Sequence, residues 1–195
     1  MIRTAVLLLG LLALTACGVR PPPPGDPRDV AALAAEIRGL SPNIDPAEAA
    51  RAAQVAYRAS FDLSRAYGIT DPPLVHNAKV NAGTRPRGLC YHWAEDLQAL
   101  LDAEGFATLQ TARAIANSDR RFFIEHSTTV ITPKGAPMQA GIVVDPWRDG
   151  GRLFWSKVPD DPRYVWVPRK QVLKETGRIR YVQRTAGSLV PLPIE

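Results

Sequence analysis

Beyond Gly105 the chain reads Phe106-Ala107-Thr108-Leu109-Gln110-Thr111-Ala112-Arg113-Ala114-Ile115-Ala116. After Asn117-Ser118-Asp119 comes Phe122-Phe123-Ile124-Glu125-His126-Ser127-Thr128-Thr129-Val130-Ile131-Thr132, and after Pro133-Lys134-Gly135 comes Gly141-Ile142-Val143-Val144-Asp145-Pro146-Trp147. Runs of this length, rich in β-branched and aromatic residues and closed by Asn, Asp, Gly and Pro, read as strands. Shorter runs over 152–155, 164–167 and 179–183 continue the pattern past Asp149-Gly150-Gly151 and proline-containing turns. Upstream of Gly105 the period is helical. Helices first and an antiparallel meander afterwards predict an α+β domain.

Three helices are predicted. Val30, Leu33, Ala34, Ile37 and Leu40 have helical spacing over 29–40, closed by Ser41-Pro42. A stronger helix opens with Asp45 as N-cap, Pro46 at its first position and Glu48 at the capping-box position. It is alanine-rich through Ala66, carries Ala49, Ala53, Ala56, Phe61 and Leu63 on its apolar stripe, and stops at Gly68. The segment 69–87, with Asp71-Pro72-Pro73 and Gly83, reads as loop or broken strand. The third helix covers 89–104, with Leu97, Leu100 and Leu101 apolar and Gly105 as its stop.

Composition narrows the classes. The chain has 195 residues, 46% hydrophobic, with 24 Lys+Arg against 19 Asp+Glu. That suits one domain of roughly 100–200 residues with a buried core. The charge of +5 is scattered and forms no basic run, so nucleic acid is not an expected partner. Two cysteines cannot build a disulfide scaffold. Of the 18 prolines, several cluster in Pro21-Pro22-Pro23-Pro24 and Pro27.

The two cysteines have different chemistries. Met1-Ile2-Arg3-Thr4 precedes an apolar run over 5–16 and then Cys17. The run is shorter than the about 20 residues of a membrane span but fits an export signal. Leu14-Thr15-Ala16-Cys17 resembles the lipobox of bacterial lipoproteins, which implies cleavage before Cys17 and acylation of its thiol. Residues 1–16 are then a signal peptide, and the mature chain has 195 − 16 = 179 residues with a charge of 23 − 19 = +4. Membrane lipid becomes a partner through the Cys17 acyl chains. Gly18 after the cysteine, by the same resemblance, favours the outer membrane, facing the periplasm. Residues 17–28 form a Pro-rich tether, extended at about 3.1 Å per residue, and 29–195 form the domain.

Cys90 is then the one thiol left, without a partner for a disulfide in an oxidising compartment. It stands in the first turn of the third helix, behind Arg85-Pro86-Arg87-Gly88-Leu89. Helix N-terminal amides and nearby cations favour a thiolate. A thiolate nucleophile needs a base and a group to orient it. His126 lies in one predicted strand and Asp145 at the end of the next, and antiparallel neighbours bring both to one sheet end. Asp149 is the fallback for Asp145, although the turn at Asp149-Gly150-Gly151 explains it. His92, two residues after Cys90, is about 200° round the helix and faces away from the thiol. His76 lies in the loop. A metal site built from Cys90, His92 and His126 lacks paired ligand spacing; no metal and no cofactor is expected.

Gly88-Leu89-Cys90 with its helix, the His126 strand and Val143-Val144-Asp145-Pro146-Trp147 together resemble the core of the transglutaminase-like superfamily, a papain-like cysteine fold. The resemblance covers roughly 87–155. It implies Cys90 as nucleophile, His126 as general base and acid and Asp145 as orienting carboxylate, with Asn77 or Asn81 and the Cys90 N–H as oxyanion donors. Ser127-Thr128-Thr129 departs from the aromatic or Ala-Trp found after the histidine in many members. The expected activity is a lipid-anchored cysteine hydrolase or acyltransferase acting on a peptide, protein or cell-wall substrate. The alternative is a non-catalytic lipoprotein using the same fold to bind a protein or cell-wall partner. A third is the related peptidoglycan-peptidase architecture, which would stand a second histidine, His92 or His76, behind His126.

Overall fold

The computed structural model describes residues 25–178 together with the backbone of Arg180–Arg184 and Ser188–Leu192. The expected signal peptide, the lipobox-like Leu14-Thr15-Ala16-Cys17 and the Pro-rich stretch as far as Pro24 lie outside the described residues.

Helix α1 spans Pro27–Gly39. The Asp26 carboxylate accepts from the Arg28 amide at 2.8 Å, so the helix takes up residues assigned above to the tether. It uses the same Asp-Pro opening as α2, Pro46–Ala66, whose cap Asp45 accepts from the Ala47 and Glu48 amides at 2.6 and 3.1 Å. Glu48 does not turn back to complete a capping box. Its carboxylate instead accepts from the Ala107 and Thr108 amides at 2.7 and 2.8 Å, and so ties the start of α2 to the chain ahead of the first strand. Gly68 ends α2 at φ +64°, a left-handed position suited to glycine.

Residues 69–87 are not a loop throughout: Pro73–Asn81 form helix α3. Asp71-Pro72-Pro73 points to a loop, yet Pro73 stands at the first helical position, where the missing N–H has no intrahelical acceptor to lose. Among α3 residues only His76 is buried, so the helix carries no apolar period to betray it. Helix α4 is Cys90–Asp102.

The strands are β1 Leu109–Ala116, β2 His126–Pro133, β3 Ile142–Asp149, β4 Arg152–Lys157 and β5 Val167–Pro168, in sheet order β4-β3-β2-β1-β5, all antiparallel. The domain is α+β, as the change of period predicted. Three predicted strands are shorter than expected. Phe106 to Thr108 lie outside β1, the Glu48 carboxylate taking the Ala107 and Thr108 amides. Phe122 to Glu125 form no strand, because a turn around Asn117 (φ +63°) takes their backbone: the Phe123 amide donates to the Arg120 carbonyl, and the Asn117 side-chain amide to the Ile124 carbonyl at 3.2 Å. Tyr164 and Trp166 are tied to Asp161 and do not join the sheet, leaving only Val167 and Pro168 to pair with β1. Helix α5, Arg169–Glu175, follows directly and is too short to show a period. A separate hairpin pairs β6, Arg180–Arg184, with β7, Ser188–Leu192. Pro191 within β7 masked that strand in the sequence.

Side chains of β2 and β3 are buried on both faces. Ile131, Ile142 and Val144 meet Ala52, Ala53 and Ala56 of α2 and Leu97 and Leu101 of α4, whereas Val130 and Val143 pack with Ala114, Ala116 and Trp166 on the other face. This alternation is the two-residue period of a strand. The unbroken run Ile142-Val143-Val144 reflects a central strand with no wet face. Alanines along α2 let its backbone approach the core closely.

Candidate active site

The turn ahead of α4 is held from four sides. Gly88 has φ +124°, and a Cβ there would collide with the His76 ring. Nδ1 of His92 accepts from the Gly88 and Leu89 amides at 3.2 and 3.3 Å, and the Trp93 indole donates to the Gly88 carbonyl at 3.1 Å. An acceptor nitrogen suits a neutral imidazole, and burial, followed by the nearby Arg87 charge, pushes the His92 pKa below its ordinary value. Arg87 is fixed by Asp96 at 2.7 Å, and the Tyr67 hydroxyl donates to the same carboxylate at 2.5 Å. Burial and Asp96 push the Tyr67 phenol well above its usual value. These restraints all serve the next residue, Cys90, which opens α4.

Cys90 is 8% exposed, and its sulfur lies 3.7 Å from the carbonyl oxygen of Glu125, the residue before His126. The start of α4 therefore meets the start of β2. Thr129 pairs with Val144, so Thr128 stands opposite Asp145 and His126 sits one diagonal step away on the same face. Nε2 of His126 and Oδ2 of Asp145 are 2.6 Å apart. Nδ1 of His126 has no hydrogen-bond partner among the described residues, which leaves it as the nitrogen available to the thiol. Burial works against a charge on this ring, but the Asp145 carboxylate and then Cys90 outweigh it and raise its pKa to about 9. Trp147, Tyr164 and Trp166 pack round the imidazole with ring centroids 4.6, 4.7 and 5.3 Å away.

The chain matches no protein-family model, no curated protein and no solved structure.

Behind the histidine the charges continue inward. Arg148 donates through Nε to Asp145 at 3.1 Å and through both terminal nitrogens to Asp161 at 3.1 and 2.7 Å, with its guanidinium 3.7 Å from the centroid of Phe154. Burial would raise the Asp161 carboxyl, but Arg148, the Arg163 amide and the Trp166 indole hold it below the usual range. Sequence reasoning missed Arg148 and Asp161. The signal was present in Asp161-Pro162-Arg163, a capping-type turn, but nothing in the chain order tied it to Asp145.

Of the other predicted residues, Asn77 comes near the site and Asn81 does not. The Asn77 side-chain oxygen accepts from the Trp147 indole at 3.1 Å, which leaves its amide N–H groups to donate, whereas Asn81 is exposed at the end of α3. Asp149 is exposed at the turn into β4 and stands apart from His126. Neither His76 nor His92 lies behind His126; that place is held by Asp145. His76 is buried against the Arg87 carbonyl at 3.0 Å. Among the described residues no three His, Cys, Asp or Glu side chains converge as metal ligands would.

Two hollows flank the Cys90–His126 junction. One, of about 550 Å³, has His126, Trp147, Phe122, Phe123 and Leu74 in its wall. The other, of about 410 Å³, is lined by Cys90, Arg113, Glu125, Arg169 and Arg178. A reacting group can be approached from both sides.

Proposed function

We propose that this chain is a lipid-anchored envelope cysteine hydrolase or acyltransferase of the transglutaminase-like, papain-like kind, acting on amide or peptide bonds. The observation that carries the reading is the closed His126–Asp145 pair set beside Cys90 at a helix start, with Nδ1 of the imidazole left free. In this mechanism the Cys90 sulfur adds to the carbonyl carbon while the π electrons move to oxygen. The Cys90 N–H, which has no intrahelical acceptor, and the Asn77 amide hold the oxyanion. The C–N bond then breaks, the amine takes a proton from His126, and a thioester remains on Cys90. Water or a second amine, deprotonated by His126, resolves it. Asp145 keeps the ring oriented and balances its charge.

The membrane address rests on Leu14-Thr15-Ala16-Cys17 and the apolar run before it. Replacing Cys17 with Ser should release the protein from the membrane fraction and remove the acyl mass from its N-terminal peptide.

The catalytic reading is tested with 4-nitrophenyl acetate on the full chain. An acetyl group should appear on the Cys90 peptide, be lost in Cys90→Ala and fall steeply in His126→Ala. No acetyl on that peptide, with iodoacetamide reacting no faster than with a free thiol at neutral pH, would overturn it. The second reading, a non-catalytic lipoprotein binding a protein or cell-wall partner, is favoured by Phe122, 92% exposed, and Phe123, 60% exposed, beside His126. It predicts that same negative outcome.

A further inference from the structure

The polar hollow on the Cys90 side holds more positive charge than its own acids balance. Arg178 is committed to Glu125, with one terminal nitrogen 2.9 Å from a carboxylate oxygen and the other on the second oxygen. Glu95, also in the wall, pairs with Arg87 at 3.6 Å. Two guanidinium groups are left over. Arg113, from β1, donates one terminal N–H to the Tyr91 carbonyl at 3.3 Å, while its buried Nε finds no acceptor among the described residues. Arg169, the first residue of α5, is exposed and forms no ion pair among the described residues.

These two cations come from different elements to the wall of the hollow that Cys90 also lines. Burial first and the Arg169 charge second push the Arg113 pKa below its ordinary value, and the more distant pull of Glu95, Cys90 and Asp96 does not offset them. An anion placed between them would supply acceptors for the unpaired Nε and for Arg169, in the forked geometry that guanidinium groups offer to carboxylates.

We propose that Arg113 and Arg169 form an anion subsite beside Cys90 that reads a carboxylate on the acyl half of the substrate. This deepens the hydrolase reading and rests on it for the assignment to the acyl half. The departing amine must collect its proton from His126, so it leaves through the larger hollow that His126 lines. The acyl group stays on sulfur and occupies the hollow that Cys90 lines. The substrate class is therefore an amide whose acyl residue bears a second, free carboxylate near the scissile carbonyl, as in an amide of a dicarboxylic amino acid.

The test compares iodoacetate with iodoacetamide on the full chain, reading alkylation of the Cys90 peptide by mass spectrometry so that Cys17 does not contribute. In Arg113→Gln the iodoacetate-to-iodoacetamide rate ratio should fall about tenfold, the value of one charge-assisted hydrogen bond, and in Arg169→Gln several-fold. Glutarate should slow alkylation of the wild type saturably and lose this effect in both variants. Arg169 is exposed, so its variant keeps the test open if Arg113→Gln fails to fold. An unchanged ratio in a folded variant overturns the subsite. An equal fall of both rates does so too, since the arginines would then act on the sulfur alone. Because the ratio compares two reagents on one sulfur, it separates the two proposals. Slow alkylation with an Arg-dependent ratio keeps the subsite and sinks the nucleophile; fast alkylation with an Arg-independent ratio does the reverse.

Discussion

Nε2 of His126 lies 2.6 Å from Oδ2 of Asp145, and each side chain is 1% exposed. Almost wholly buried, the pair interacts more strongly than the same groups would at a surface, and each member is costly to leave alone. Asp145 also neutralises Arg148. Two substitutions should therefore behave differently. Asp145→Asn keeps the shape and one acceptor but removes the charge, so acylation of Cys90 should fall by about 10²-fold or more with the fold retained. Asp145→Ala strips Arg148 and His126 of a partner together and should lower stability by about 3–5 kcal/mol. Acyl transfer from 4-nitrophenyl acetate and urea midpoints measure the two effects. Equal acylation by Asp145→Asn and the wild type would remove Asp145 from the mechanism.

His126 and His92 should titrate in opposite directions. His126 is raised to about 9, Asp145 outweighing burial, whereas His92 is lowered by burial and Arg87. A folded-state value above the unfolded one contributes stability that is complete below the unfolded pKa of about 6.5 and is lost as pH rises through about 9. For His92 the sign reverses: its contribution is present above about 6.5 and is lost as pH falls below it. NMR titration of the ring protons reads both groups directly. His126 should remain protonated at neutral pH, and Asp145→Asn should bring its midpoint down and flatten the loss of stability on the alkaline side. A single midpoint near the ordinary histidine value for both rings would contradict this.

Gly88 is the position where the backbone ahead of Cys90 admits no side chain. Its φ of +124° is strained for any L-residue, and a Cβ would strike the buried His76 ring. Gly88→Ala should lose about 1–3 kcal/mol from the backbone alone, with a further loss from the collision. It should also slow alkylation of Cys90 by displacing the start of α4. Adding His76→Ala relieves the collision but not the backbone, so the double variant should recover only part of the stability. Full recovery in thermal unfolding would assign the effect to packing alone.

What the sequence disclosed follows a physical division. Asp45-Pro46 and Gly68 are local signals, and the helix they bound was legible to within a residue. The order of Cys90, His126 and Asp145 was readable because turn residues bound the helix and the two strands that carry them, although Asp145 stands inside β3 and not at its end. Helix α3 was not, since one buried side chain leaves no stripe. Phe122, Phe123 and Ile124 read as strand because apolar character was taken for burial, yet all three are exposed where the Asn117 turn presents them. Arg148 and Asp161 were silent for another reason. Their value depends on a contact 13 residues apart closed by a β-turn and a bulge, and no local rule announces it.

Asn77 offers the means to separate the proposed roles of nucleophile and oxyanion donor. Its oxygen is occupied by the Trp147 indole at 3.1 Å, so the amide is oriented with its N–H groups free, and Trp147 in turn packs on the His126 ring. A donor of this kind acts on the charge that develops on the carbonyl oxygen and leaves the sulfur untouched. Removing one such donor costs about 10²–10³ in turnover where it has been measured in hydrolases. Asn77→Ala should accordingly depress acetylation by 4-nitrophenyl acetate by about that factor, while alkylation by iodoacetamide, which builds no oxyanion, changes far less. Asn81→Ala, at the exposed end of the same helix, is the control and should leave both rates as they were. If Asn77→Ala slows the two reactions equally, the asparagine positions Trp147 and His126, and the oxyanion is held by the Cys90 N–H and another donor.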